Sequence, residues 1–321
     1  MALKASTAQA RLAQTAFSTK KMGKWKAIVK NYDLYLFLLP TILYFLIFQY
    51  GPMYGVQIAF KDFIATKGIW NSPWVGMEHF QRFFNSFQFR AVLVNTVSLS
   101  FFSLFFGFWP PILLALMLNQ VSNQKFKRVV QTVTYAPHFI SIVVVVSMLF
   151  AFLALRNGLV NMIIQALGGK ATDFMGSARW FRTVYIVSDI WQHIGWSSII
   201  YIAALSSINP ELHEAAIIDG ANRIKRIWHV EIPGILPTII ILLILRSGSI
   251  MSVGFQKVFL MQTPLNLSVS QVISTYVYQV GLINADFSFA TAVGLFNSII
   301  NFAIIISVNA VSRRISETSL W

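Results

Sequence analysis

Apolar runs about as long as a bilayer is thick dominate this chain, and they leave few folds open to it. A hydrocarbon core about 30 Å deep is crossed by roughly 20 helical residues rising about 1.5 Å each. About six such stretches occur, at 34–58, 91–118, 139–155, 183–208, 235–255 and 287–311. Backbone N–H and C=O groups find no water in lipid, so a spanning chain must bond them internally, which predicts an all-α, polytopic membrane protein. A length of 321 residues alone would suggest two soluble domains, but 56% hydrophobic and 11% charged residues override that. The third stretch is short. YAPHFIS just before it extends it as a bent approach, because the residue preceding Pro137 is biased away from helix.

Charge sets the expected orientation. There are 25 Lys and Arg against 11 Asp and Glu, a net charge of +14. The first thirty residues carry Lys4, Arg11, Lys20, Lys21, Lys24, Lys26 and Lys30 with no acid and no cleavable signal pattern, which reads as a basic inner tail over 1–31 ahead of one transmembrane domain over 32–321. With that tail inside, Lys125, Lys127, Arg128, Arg223, Lys225, Arg226, Arg313 and Arg314 also fall inside. That makes fifteen basic residues against the nine of the outer loops: Lys61, Lys67, Arg82, Arg90, Arg156, Lys170, Arg179, Arg182 and Lys257. Both termini are therefore expected in the cytoplasm. The outer loop 51–90 is rich in aromatics (Trp70, Trp74, Phe80, Phe83, Phe84, Phe87), which suits an interfacial belt or a docking surface. Cysteine is absent, so neither disulfides nor thiolate chemistry are available.

One polar segment interrupts the apolar pattern: HEAAIIDGANRIKRIWHVEIPGILPT, residues 213–238. Asn209 before Pro210 signals a helix start, and Gly220 supplies a stop. Asn222 caps a second short helix, which Pro233 is expected to terminate. Ala215, Ala216, Gly220 and Ala221 concentrate small side chains at the elbow, framed by Glu214 and Asp219 and followed by Arg223. Such a shape suits insertion into a groove of a cytoplasmic protein; an ordinary amphipathic inner loop is the plainer alternative.

Ionisable residues inside spans cost about 2.5 to 3.5 kcal/mol each on insertion scales and face cavities or one another. Asp189, His193 and Trp196 share a helix face, with Gln192 beside it, and Arg246 lies in the fifth stretch. Either Asp189 and Arg246 neutralise each other and His193 makes an interhelical bond, or Asp189, Gln192, His193, Trp196 and Arg246 line a path on which an indole stacks on a sugar and an arginine grips a carboxylate. His79, His138, His213 and His229 lack metal-ligand spacing, and no metal site is expected.

EAAIIDGA, then about ten residues, then IP and Pro237 resembles the cytoplasmic signature of permease subunits of binding-protein-dependent ATP-binding-cassette importers; Ile232 stands where leucine is commoner. LLPTILYFLIFQYGPMYGVQIAFKDF, WVGMEHF, YAPHFIS, VGFQKVFLM, TYVYQVGL and FATAVGLF are similar to the oligosaccharide and polysaccharide branch, and to alginate-type importers most closely. The resemblance implies a type I importer permease fold with coupling helices at about 209–233. In it, Glu214, Ala215, Ala216, Asp219, Gly220, Ala221 and Arg223 would seat on an ATPase subunit. It further implies a second homologous permease, two ATPase subunits, an extracytoplasmic sugar-binding protein and an oligosaccharide cargo in the bacterial inner membrane. No cofactor is expected in this chain, since ATP and Mg would be bound by the ATPase partners. GGKAT at 168–172 lacks the spacing of a phosphate-cradling loop, so the chain is expected to be non-catalytic. Two rival readings are a stand-alone anion channel or secondary carrier, which predicts matching broken helices in two halves, and a membrane enzyme using Asp189 and His193 as acid and base, which lacks a nucleophile or metal.

Overall fold

A computed structural model describes residues 31–315, so the expected basic tail lies outside the described residues except for Asn31. The chain divides into two units, 1–57 and 58–321. Among the described residues the structure is helical, apart from one isolated bridge between Lys61 and Trp74. The expected all-α class is what is seen.

The main helices are α1 (Tyr32–Phe60), α2 (Phe87–Asn119), α3 (Gln124–Tyr135), α4 (Ile142–Phe152), α5 (Ala178–Ser206), α6 (Pro210–Ile218), α7 (Arg223–Ser247) and α8 (Phe287–Ile315). By length and composition α1, α2, α7 and α8 can each cross a membrane. The stretch expected as a third span is instead part of a broken pair, in which the helix Gln124–Phe139 meets α4 at 101°. Pro137 sits in a tight turn at the break, Ile140 is extended, and the Ser141 hydroxyl restarts the helix by accepting from the Val144 N–H. The stretch expected at 183–208 forms α5, 29 residues long and interrupted by Asp189, Gln192 and His193. The fifth stretch ends early, since α7 stops at Ser247 and a second helix, Phe255–Met261, follows an irregular segment.

Pro233 does not terminate its helix as expected. Just before it, residues Ile227–Glu231 widen into a π-turn in which the Ile232 N–H reaches back five residues to the Ile227 carbonyl. That register leaves room for the pyrrolidine ring and absorbs its missing donor. The same device precedes Pro52, where the Gly51 N–H bonds to the Leu46 carbonyl.

Within the second unit α2 and α5 are the central pair. Leu99 of α2 packs with Phe181, Val184 and Tyr185 of α5, and Phe108, Ile112 and Ala115 of α2 pack with Tyr201 and Leu205 of α5 and Ile235 of α7. A third cluster joins Phe83, Val92, Met251, Tyr276, Phe289 and Val293. The outer aromatics divide: Phe80 and Phe83 are core, whereas Trp70, Trp74 and Phe87 are exposed.

Lipid tails are as apolar as leucine, so helix association in a membrane depends on close packing rather than on the hydrophobic effect. The tightest crossing sets Gly195 of α5 against the end of α3, where a Cβ would strike the Thr134 carbonyl. Backbone cannot swing aside as a side-chain tip does. Gly195→Ala is therefore expected to destabilise the protein by about 1–3 kcal/mol through overpacking, measured as a lowered thermal midpoint of the purified protein in detergent.

Candidate functional site

Two arrangements carry chemistry, one inside the bundle and one at an exposed elbow. Inside, the break after Ser247 turns the chain so that Lys257, on the short helix Phe255–Met261, faces α5. Its ammonium, 3% exposed, lies 3.3 Å from Asp189 Oδ1 and 4.9 Å from the Tyr185 ring centroid. His193 Nδ1 is 3.4 Å from the same carboxylate oxygen and 3.0 Å from the Asp189 carbonyl. Both neighbours are acceptors, which places the ring proton on Nδ1.

Asp189 is thus neutralised by Lys257 rather than by Arg246, the pairing weighed from sequence alone. The segment 248–254 is what sequence periodicity missed, because a continued helix would have carried Lys257 away from Asp189. Arg246 donates from Nη1 to the Gly107 carbonyl of α2 at 3.0 Å. Among the described residues no carboxylate lies within ion-pair distance of it. It borders three spaces. One is an open cavity of about 450 Å³ shared with Trp196, Phe108, Tyr201 and Leu242. The second is a pocket edged by Ser100, Ser103, Ser249 and Ser252. The third is a narrow cleft that also touches Asp189 and His193.

Of the other expected residues, Trp196 is half-exposed, and its indole stacks parallel on His138 with centroids 4.5 Å apart and planes 2° from parallel. Gln192 is buried, and its Nε2 donates to the Ile140 carbonyl at 3.0 Å, the group freed by the break between α3 and α4. The structure therefore brings Asp189, His193 and Arg246 to one cleft and Trp196 to the adjoining cavity, while Gln192 braces the fold. Tyr185 was not singled out in the sequence, His138 was set aside as a metal ligand, and Lys257, counted there with the outer loops, is instead buried against Asp189. The one available signal was a lysine inside the apolar run FQKVFLM.

At the elbow, the Asn209 side chain accepts from the Glu211 N–H and Asn222 from the Lys225 N–H. Gly220 takes a left-handed φ of 74°, and the Ala221 N–H bonds to the Ala216 carbonyl, closing the end of α6. Glu214, Ala215, Asp219 and Arg223 are exposed, as are the apolar Leu212, Ile217, Ile218 and Ile224; Ala216 and Ala221 are half-buried between them. These exposed apolar side chains lie among charged ones on the two short helices of the elbow. Glu231, buried and unremarked in the sequence, fixes this elbow to α2: its Oε1 accepts from Asn119 at 3.1 Å and from Gln120 at 2.6 Å.

Residues 111–317 match the family model of the binding-protein-dependent transport system inner membrane component. The chain belongs to that family. This permease is 40% identical over 322 residues to the polygalacturonan/rhamnogalacturonan transport system permease protein YteP of Bacillus subtilis (strain 168), covering 99% of this chain and 100% of that one. It is similar to a chain of a bacterial alginate ABC transporter crystallised in complex with alginate pentasaccharide-bound periplasmic protein, at 44% identity and a TM-score of 0.86 over 92% of this chain and 99% of the other. A chain of a bacterial ABC transporter involved in the import of the acidic polysaccharide alginate matches with 44% identity and a TM-score of 0.85 over 91% and 99%. The fold is that of a type I ABC importer permease, and the protein is a sugar ABC importer permease of the inner membrane.

Removing Lys257 would leave Asp189 in the bundle without its lysine partner. Lys257→Met is expected to cost the permease about 3 kcal/mol, and adding Asp189→Asn should recover much of the loss. Thermal unfolding of the single and double variants checks this.

Proposed function

We propose that this permease lines the path of an ATP-driven importer that receives acidic oligosaccharides from an extracytoplasmic binding protein and releases them into the cytoplasm by alternating access. The observation that carries the reading is Arg246, a cation with no internal carboxylate partner among the described residues, set beside an open cavity that also holds the exposed Trp196. A guanidinium fork pairs with a sugar carboxylate through two parallel bonds, strengthened where water is scarce. The indole offers a flat apolar face to the C–H surface of a pyranose. The acidic polysaccharide named for one structural neighbour supports the same substrate class.

In this reading the elbow built from Glu214, Ala215, Ala216, Asp219, Gly220, Ala221 and Arg223 faces the cytoplasm, as do both chain termini, and seats in a cleft of one of two ATPase subunits. A second, homologous permease completes the path. ATP and Mg are held by the ATPases, whose closure shifts the permease pair between inward-open and outward-open states. That shift requires contacts whose strength differs between the two states. The exposed apolar and charged surface of the elbow supports such a seat, and the Glu231 bonds to Asn119 and Gln120 give it a mechanical connection into the bundle.

Two substitutions separate the parts. Arg246→Ala should leave the complex assembled while slowing uptake of a uronic-acid oligosaccharide by roughly 10- to 100-fold, the loss of about 1.5–3 kcal/mol from bonds to a charged group. Glu214→Lys should abolish copurification of the ATPase. Transport by the purified chain alone, or a complex that falls apart on loss of Arg246 with uptake otherwise unchanged, would overturn the reading.

A further inference from the structure

The peptide carbonyl that holds Arg246 is free for a reason written in the sequence of α2. In an α-helix the Gly107 carbonyl would accept from the N–H four residues on, but residue 111 is proline and has none. Gly107 is buried, so water does not readily supply the missing donor. Arg246 Nη1 supplies it, at 3.0 Å. Gly107 contributes in a second way, by having no side chain. A Cβ there would stand 2.9 Å from Arg246 Nη2 and 3.7 Å from Cζ, inside the space the guanidinium occupies. The vacant carbonyl and the vacant side-chain position together form a seat for one edge of the guanidinium. Pro111 lines both the open cavity and the narrow cleft, so the seat lies at the wall of the space where Trp196 and Asp189 are also found.

We propose that Gly107 and Pro111 are positioning residues that determine preference for carboxylated saccharides, by holding the Arg246 guanidinium with one edge on α2 and the other toward the cavity. This rests on the reading of Arg246 as the carboxylate contact. A side chain as long as arginine has many rotamers, and a fork aimed in advance loses less entropy on binding than one that must be ordered by the substrate. Proline inside a span costs a hydrogen bond, and here the freed carbonyl orients a functional cation instead of remaining unpaired.

Two substitutions dismantle the seat by different physics. Gly107→Ala fits a helix and meets only the tip of a flexible side chain, so the fold tolerates it while the guanidinium is displaced. Pro111→Ala returns an N–H to α2, which then competes with Arg246 for the Gly107 carbonyl. The test uses the purified complex of permeases and ATPases, titrated calorimetrically with a uronic-acid tetrasaccharide and with its carboxyl-reduced neutral counterpart. Each variant should weaken binding of the acidic tetrasaccharide about tenfold, the lower end of the range for a bond to a charged group, and leave the neutral one unchanged. In an Arg246→Ala background neither substitution should have any further effect, a result that a general packing defect would not give. If Arg246→Ala weakens acidic binding but Gly107→Ala and Pro111→Ala bind like the parent, or weaken both sugars equally, the seat is refuted while the role of Arg246 stands. If Arg246→Ala itself leaves acidic binding unchanged, both fall.

Discussion

A backbone group inside a bilayer core must find a partner in the protein, and this requirement governs where the permease is irregular and how it is held together. Several breaks in the helices are closed by an amide side chain from elsewhere. Gln192 takes the Ile140 carbonyl at the bend before α4. Asn301 accepts the Met251 N–H and donates to the Ser252 hydroxyl across the irregular segment after α7. Asn95 donates to the Ser268 and Gln271 carbonyls, and Asn266 to those of Met175 and Met261. A side-chain amide carries donors and an acceptor without net charge, so it can satisfy peptide groups in low dielectric without the desolvation cost of an ion.

The distribution of charge follows from those irregularities. The break after Ser247 places Lys257 where it neutralises Asp189, and Asp189 is then unavailable to Arg246. One interior cation is spent on structure and a second is left bordering open space. The same break leaves Arg246 bonded to the Gly107 carbonyl and bordering open space rather than paired with Asp189.

Local rules in the sequence anticipated local structure well. The elbow followed from Asn209, Pro210, Gly220 and Asn222, because caps and a left-handed glycine are decided within a few residues. The presence of α1, α2 and α8 followed from hydrophobic length, although α2 starts four residues before the expected stretch and α8 runs four past it. Breaks were harder to read. The bend at Pro137 was foreshadowed by proline, but its 101° angle was not, and the Ile140 carbonyl beside it is satisfied by Gln192, more than fifty residues away. Pro233 misled, since a stop signal in isolation becomes tolerable when a π-turn precedes it. Lys257 was misplaced in an outer loop for the same kind of reason: its partner is set by a fold-back that no periodicity records. Arg246 and Trp196 stand out in the sequence because a charge or an indole inside a span is costly or conspicuous on its own, whereas the contact between Arg246 and Gly107 is visible only when α2 and α7 are placed together.

The π-turn that carries α7 past Pro233 also makes Arg223, where the elbow ends, and Arg246 parts of one helix. From Arg223 to Ser247 the helix is continuous for 25 residues, roughly 37 Å. The basic end at Arg223 and the guanidinium at Arg246 sit near opposite tips of it. A tilt of 10° about one tip sweeps the other through roughly 6 Å at that length, more than the reach of a hydrogen bond. Angular motion at the Arg223 end is thereby converted into translation at the Arg246 end.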